Sequence, residues 1–309
     1  MKSLALHLSV LAVLCALQFV LPSYHVTNVA RIMVLAVFAM GYNIAFGYTG
    51  LLSLGHALFF AAGIYGAGLP VHLLEWTSGP AFLTGLVAGG VAAALVGLLA
   101  LRTAGVSFMI VTLMFAQAGY LSILYFGRWT GGDEGFPMGA VGRQVLGYDL
   151  SGETPRYLTA LGLFAVALVV NLVLVRSKLG RVMVAMRENE DRARMLGYDP
   201  FRVKLAALAI SGLYAGAAGA GYAMLFGYVG ATFGGIQYSI LPMLYVLVGG
   251  AGTVLGPLIG AAGMFYLIEA ASEVTEAYLM LVGVILIVGV VFAPKGLLGA
   301  LRKVWPWLP

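Results

Sequence analysis

Long apolar runs separated by short polar stretches recur along the whole chain. A helix needs roughly 20 mostly apolar residues to cross a bilayer. Ten stretches fit that pattern, some only loosely: residues 4–21, 29–47, 51–72, 80–101, 106–127, 157–175, 204–229, 236–250, 253–270 and 277–293. The first follows Lys2, but Pro22-Ser23-Tyr24-His25 offers no small-x-small cleavage site, so it is expected to stay as a span rather than be removed as a signal peptide. The expectation is an all-α integral membrane protein, a single transmembrane domain over residues 1–309 with about ten transmembrane helices. Two longer polar segments interrupt it, 128–156 and 176–204.

Composition agrees with lipid as the solvent. The chain is 61% hydrophobic and 9% charged, with mean hydropathy +0.99, whereas a water-solvated domain carries about 25% charged residues. Its 43 glycines sit inside apolar runs, where they let membrane helices approach closely. The net charge of +5 does not indicate nucleic acid, because the basic residues are divided among loops. With ten spans and a cytoplasmic N-terminus, 13 of the 17 basic residues fall inside. These are Lys2, Arg102, Arg176, Lys178, Arg181, Arg187, Arg192, Arg194, Arg202, Lys204, Lys295, Arg302 and Lys303. This is the positive-inside bias, and it places both termini in the cytoplasm and 128–156 outside, as a periplasmic loop. The lone cysteine, Cys15, excludes an internal disulfide and is expected to be a small apolar filler.

The chain has no Gly-Lys pair, hence no phosphate-cradling G-x-x-x-x-G-K-[ST] loop, and neither a G-x-S-x-G elbow nor an H-E-x-x-H zinc helix. Glu269 is the one acid within the spans and lies near an end, as do Arg31 and Arg102. Proton-driven carriers keep ionisable groups at membrane depth, so a stand-alone carrier of that kind is disfavoured, while sodium coupling through unwound carbonyls stays open.

Residues 181–196 are expected to form one amphipathic helix, with Val182, Met186, Asn189, Ala193 and Leu196 at helical spacing. Gly197 suits a left-handed stop, and Asp199-Pro200 a cap and first turn for the next span. The segment 180–198 would then be a rigid cytoplasmic helix, either docked on a partner or lying on lipid headgroups. Two glycine-rich passages, Gly47-Tyr48-Thr49-Gly50 with Gly55 and Gly249-Gly250-Ala251-Gly252 with Gly256-Pro257, lie six spans apart. They suggest a parallel internal repeat, as broken helices or as tight turns. Polar residues within the spans, Asn43, Thr49, Ser53, His56, Thr112, Gln117, Ser211 and Gln237, together with Gly50, are candidates to line a pathway, since polar groups facing lipid are costly. Each could instead bond a neighbouring helix.

Glu188-Asn189-Glu190 through Ala193 and Gly197 resembles the permease loop of ABC importers, where Ala-x-x-x-Gly lies on the helix that docks into the ATPase. The closer resemblance is to branched-chain amino acid permeases of the LivM type, from Asn43 to Gly299. It is carried by Gly50 to Phe60, Arg187-Glu188-Asn189-Glu190, Gly249 to Pro257, Pro294-Lys295-Gly296-Leu297 and Thr130-Gly131-Gly132 with Gly135. Arg102 to Phe108 departs by lacking the family's Gly-x-Tyr-Phe. The resemblance implies an inner-membrane permease that performs no covalent chemistry and binds no cofactor, with ATP and Mg held by partners. Those partners would be a second related permease, two ATP-binding subunits and a periplasmic substrate-binding protein. Arg187, Glu188, Asn189, Glu190, Ala193 and Gly197 would couple to the ATPase. The substrate would be branched-chain or other hydrophobic amino acids. Permeases for urea, short amides or sugars share nearly every motif, and a stand-alone secondary transporter is a further alternative.

Overall fold

The computed structural model describes residues 2–145, 147–292 and 296–299, and it is predominantly helical. In chain order the helices are α1 (Lys2–Val20), α2 (Ser23–Asn43), α3 (His56–Leu74), α4 (Ser78–Ala100), α5 (Val106–Tyr125), α6 (Gly127–Thr130), α7 (Glu153–Arg176), α8 (Lys178–Glu188), α9 (Glu190–Met195), α10 (Pro200–Phe226), α11 (Gln237–Gly249), α12 (Gly256–Val274) and α13 (Tyr278–Phe292). Four two-residue strands, β1 (Phe136–Pro137), β2 (Gln144–Val145), β3 (Tyr148–Asp149) and β4 (Tyr228–Val229), pair antiparallel as β1–β4 and β2–β3.

Six stretches among the described residues are long and apolar enough to cross a membrane: Ser23–Tyr48, His56–Leu74, Ser78–Ala100, Val106–Tyr125, Glu153–Arg176 and Pro200–Phe226. A helix satisfies its own backbone polar groups, which hydrocarbon cannot do. The other four expected spans also fall on helices. Those at 4–21, 236–250 and 277–293 coincide with shorter apolar stretches of α1, α11 and α13, and 253–270 falls on α12, which carries Glu269 and Glu273. The all-α membrane class holds, with six spans meeting the criteria rather than ten. Pro294, Lys295, Arg302 and Lys303 lie outside the described residues.

Helix α2 is the axis of the molecule: 89% of its membrane-length stretch is buried, against 17% for α5. Beside it α3, α4 and α10 pack through glycine. A Cβ on Gly89 of α4 would sit 2.5 Å from the Gly216 Cα of α10, the close approach that small residues permit.

Three expectations need correction. Helix α2 begins at Ser23, not residue 29, because Tyr24 and Asn28 both donate to Glu269 Oε1 of α12, which extends the helix through polar residues. Arg31 is therefore two turns inside it rather than at its end. Cys15 is exposed on the peripheral α1, not a core filler. The expected single helix at 181–196 is two. Asn189 is extended (φ −161°, ψ 104°) and its Oδ1 accepts from Arg192 N at 2.9 Å, so it caps α9 and ends α8. The buried stripe is Val182, Met183, Met186 and Ala193, while Leu196 is 76% exposed.

The 127–152 segment is anchored rather than loose. Arg143 donates to the Met224 and Leu225 carbonyls at the end of α10, at 3.2 and 3.5 Å, and Tyr228 Oη donates to the Glu134 carbonyl at 2.9 Å. The Asp149 carboxylate accepts from Ser151 N at 2.9 Å, and this bond holds its carboxyl below the usual aspartate range.

Candidate functional site

Two backbone breaks meet at the end of the molecule that carries α8 and α9. In the first, α2 passes into a π-helical turn, Ile44–Tyr48, and residues 50–55 leave helical geometry before α3. Such turns gather at functional sites. In the second, α11 stops at Gly249 and α12 starts at Gly256. Gly50 (φ 77°) and Gly252 (φ 77°) occupy the left-handed region that residues with a Cβ avoid.

Asn43 joins the breaks. Its Nδ2 donates to the Thr253 carbonyl at 2.8 Å and its Oδ1 accepts from Gly252 N at 2.9 Å. Gly47 must be glycine here, since a Cβ would overlap Asn43 Oδ1 and sit 2.6 Å from Gly252 N. The two glycine passages, some two hundred residues apart, thus form one junction. Each helix that follows is started by a hydroxyl: Gly55 N donates to Ser53 Oγ and Gly256 N to Thr253 Oγ1, both at 3.1 Å.

Side chains from three other helices brace the first break. Leu54 N donates to Thr112 Oγ1 of α5 at 3.1 Å, and Ala57 N to Ser239 Oγ of α11 at 2.9 Å. His56 Nε2 lies 2.7 Å from Ser211 Oγ of α10, its ring 4.6 Å from that of Tyr42. Thr49 Oγ1 donates to the Ile44 carbonyl at 2.9 Å. Asn43, Thr49, Ser53, His56, Thr112 and Ser211 are accordingly all buried and bonded within the protein. Gln117 on α5 and Gln237 at the start of α11 stand apart and exposed. Sequence reading passed over Ser239, a lone hydroxyl in the short apolar run 236–250, which was itself the available signal.

Helix α8 reaches the junction through Arg187. Its Nη1 donates to the Gly47 carbonyl. Its Cγ and Nη1 lie 3.3 and 3.0 Å from where Cβ atoms of Gly50 and Gly252 would be. Arg187 therefore touches both breaks and faces into the membrane domain. Beside it a cavity of about 570 Å³ is lined by residues including Thr49–Leu52, Thr103–Met109, Arg187–Glu190 and Lys204. Lys204 Nζ pairs with Glu190 Oε2 at 2.5 Å and Arg194 with Glu190 at 3.5 Å, tying α9 to α10. Ala193 is buried, whereas Gly197 (φ 87°) has no neighbour where a Cβ would be. Asp199 caps α10, accepting from Phe201 N at 2.9 Å. Met195, Leu196 and Tyr198 stand exposed beside it. A displacement of α8 would be carried by Arg187 directly to the ends of α2 and α11.

A family model described as "Branched-chain amino acid transport system / permease component" matches residues 25–291. The chain is 29% identical over 322 residues to the high-affinity branched-chain amino acid transport system permease protein LivM of Salmonella typhimurium, covering 96% of this chain and 75% of the relative. It is 30% identical over 295 residues to the LivM protein of Escherichia coli, covering 87% and 69%. A probable LivM protein of Methanocaldococcus jannaschii is 26% identical over 167 residues, 48% of each chain. No solved structure matches the chain.

Proposed function

Because the chain belongs to the branched-chain amino acid transport permease family, we propose that it is the membrane subunit of an ATP-driven importer carrying branched-chain or similarly hydrophobic amino acids into the cytoplasm. The observation that carries the mechanism is Arg187, which fixes a segment outside the membrane core to both backbone breaks at once. In this reading α8 and α9 are the cytoplasmic coupling segment, and Arg187, Glu188, Asn189, Glu190, Ala193 and Gly197 relay movement from two ATPase subunits that bind ATP and Mg. Arg187 differs from the rest of that set by facing the permease instead of the ATPase.

Helices α1, α11, α12 and α13 complete a ten-span topology with cytoplasmic termini, and the two breaks, each followed by a hydroxyl-started helix, are equivalent elements of a parallel repeat. The buried polar residues support the break, so the route for substrate runs along the surface where this permease meets a second one. Gln117 favours that route, because it lies exposed midway along the least buried spanning helix, where lipid would be a poor neighbour for an amide. A periplasmic binding protein would deliver substrate onto the 127–152 segment.

The test is reconstitution of the chain with the products of its neighbouring transport genes. Uptake of labelled leucine should require ATP inside the vesicles and resist competition by urea or a pentose. Uptake without ATP, or competition by either compound, would remove this reading. Single cysteines at Asp133 and Arg192 in a Cys15→Ala background should label from opposite sides of the membrane.

A further inference from the structure

Four arginines lie toward the end of the molecule remote from α8 and α9: Arg31, Arg128, Arg143 and Arg156. Arg143 and Arg156 donate to backbone carbonyls, and Arg128 lies 6.0 Å over the exposed Trp129 ring. Arg31 is different. It sits two turns inside α2, with its guanidinium carbon 5.0 Å over the Phe226 ring and its Nε buried without a hydrogen-bond partner. No carboxylate pairs with it, since all four ion pairs among the described residues lie between residues 190 and 204. A cation at membrane depth that the protein leaves unpaired marks a substrate or ion route.

The surroundings suit one chemistry. The rings of Tyr222 and Phe226 lie 4.7 Å apart, those of Tyr222 and Phe233 5.1 Å, and those of Phe233 and Tyr238 5.1 Å. Arg31 acts electrostatically on both Tyr222 and Tyr238. Arg31, Tyr222, Phe226 and Tyr238 are each only partly buried, so a solute can reach them. A guanidinium fork and two phenol hydroxyls are donors suited to a carboxylate. The rings around them offer an apolar wall, and their faces attract an ammonium group. We infer that Arg31, with Tyr222 and Tyr238, forms a carboxylate-binding site near the outer end of the permease, which takes the α-carboxylate of the substrate while its branched side chain lies against Phe226 and Phe233. The amino acid rests on the importer reading above; the preference for a carboxylate rests on the geometry alone.

The assembled transporter carrying Cys15→Ala and Tyr222→Cys tests it. Anionic and cationic methanethiosulfonate reagents are compared from outside, alone and with leucine, isovalerate or isoamylamine. Beside a unit positive charge the anionic reagent should react roughly tenfold faster relative to the cationic one. That preference should vanish in Arg31→Gln and return in Arg31→Lys. Leucine and isovalerate should protect, and isoamylamine should not. Absence of labelling, a preference that persists in Arg31→Gln, or equal protection by isoamylamine overturns the site. If isovalerate protects while the unsubstituted transporter takes up no leucine, the importer reading fails and the site stands. If leucine is taken up and no carboxylate protects, the reverse holds.

Discussion

Two arginines meet the continuous helix Ser23–Tyr48 at opposite ends, and the protein treats them differently. Arg187 comes from outside that helix and donates to the carbonyl of Gly47, within a junction where Asn43, Thr253, Ser53 and Thr112 also bond. Arg31 belongs to the helix itself and has an aromatic face and no acceptor. The first region turns its polar groups on itself, so it is stiff and can pass on a displacement. The second leaves its polar groups open, so it can hold a solute. A buried polar group bonded to its own protein holds structure, and one left open is available to a ligand.

The largest effect that would probe this contrast is Gly47→Ala. The new Cβ displaces the Asn43 amide and leaves Gly252 N and the Thr253 carbonyl without partners, at about 1–3 kcal/mol each. Thermal unfolding of the detergent-solubilised subunit should drop sharply, and a melting point within a degree of the unsubstituted protein would show the junction to be slack. Arg187→Met is next. The subunit should assemble, while stimulation of ATPase activity by loaded binding protein falls about tenfold, about 1.4 kcal/mol, with partial recovery in Arg187→Lys. Equal loss in Arg187→Lys and Arg187→Met would point to the guanidinium fork itself.

Gly197→Val should come third. Valine resists φ 87° at about 1–2 kcal/mol, and no neighbour adds to that. The strain shifts the end of α9 and lowers stimulated ATPase at matched assembly; unchanged stimulation would return the segment to a lipid-facing helix. Arg194→Ala removes only exposed ion pairs, 63% of the Arg194 side chain being open to solvent, and should change stability by about 0.5 kcal/mol or less. Arg31→Met should cost nothing in melting temperature, because no bond is lost and an unpaired charge leaves the interior. A fall as large as that of Gly47→Ala would erase the contrast between the two regions.

Much of this was legible in the residues. The apolar runs placed the helices, since lipid admits few other backbone solutions, and Gly197, Asp199 and Pro200 announced their turn and cap through backbone preference alone. The helix break near Gly47 and Gly50 was readable from glycine beside Thr49 and Ser53. The division at Asn189 was not, because Asn189 also satisfies the helical period, and its capping bond to Arg192 N decides the matter locally. The early start of α2 depended on Glu269, some 240 residues away.

By itself the sequence determined the solvent, the helical class, the polar inventory and the family resemblance, all of which follow from local composition and short motifs. Only the tertiary structure decided what the polar residues are for. It brought Asn43 onto Gly252, turned Arg187 inward onto Gly47, left Gln117 on the surface and gave Arg31 no acceptor. The reason is that a hydrogen bond depends on which atoms lie within about 3 Å, and partners two hundred residues apart are chosen by packing, not by spacing along the chain.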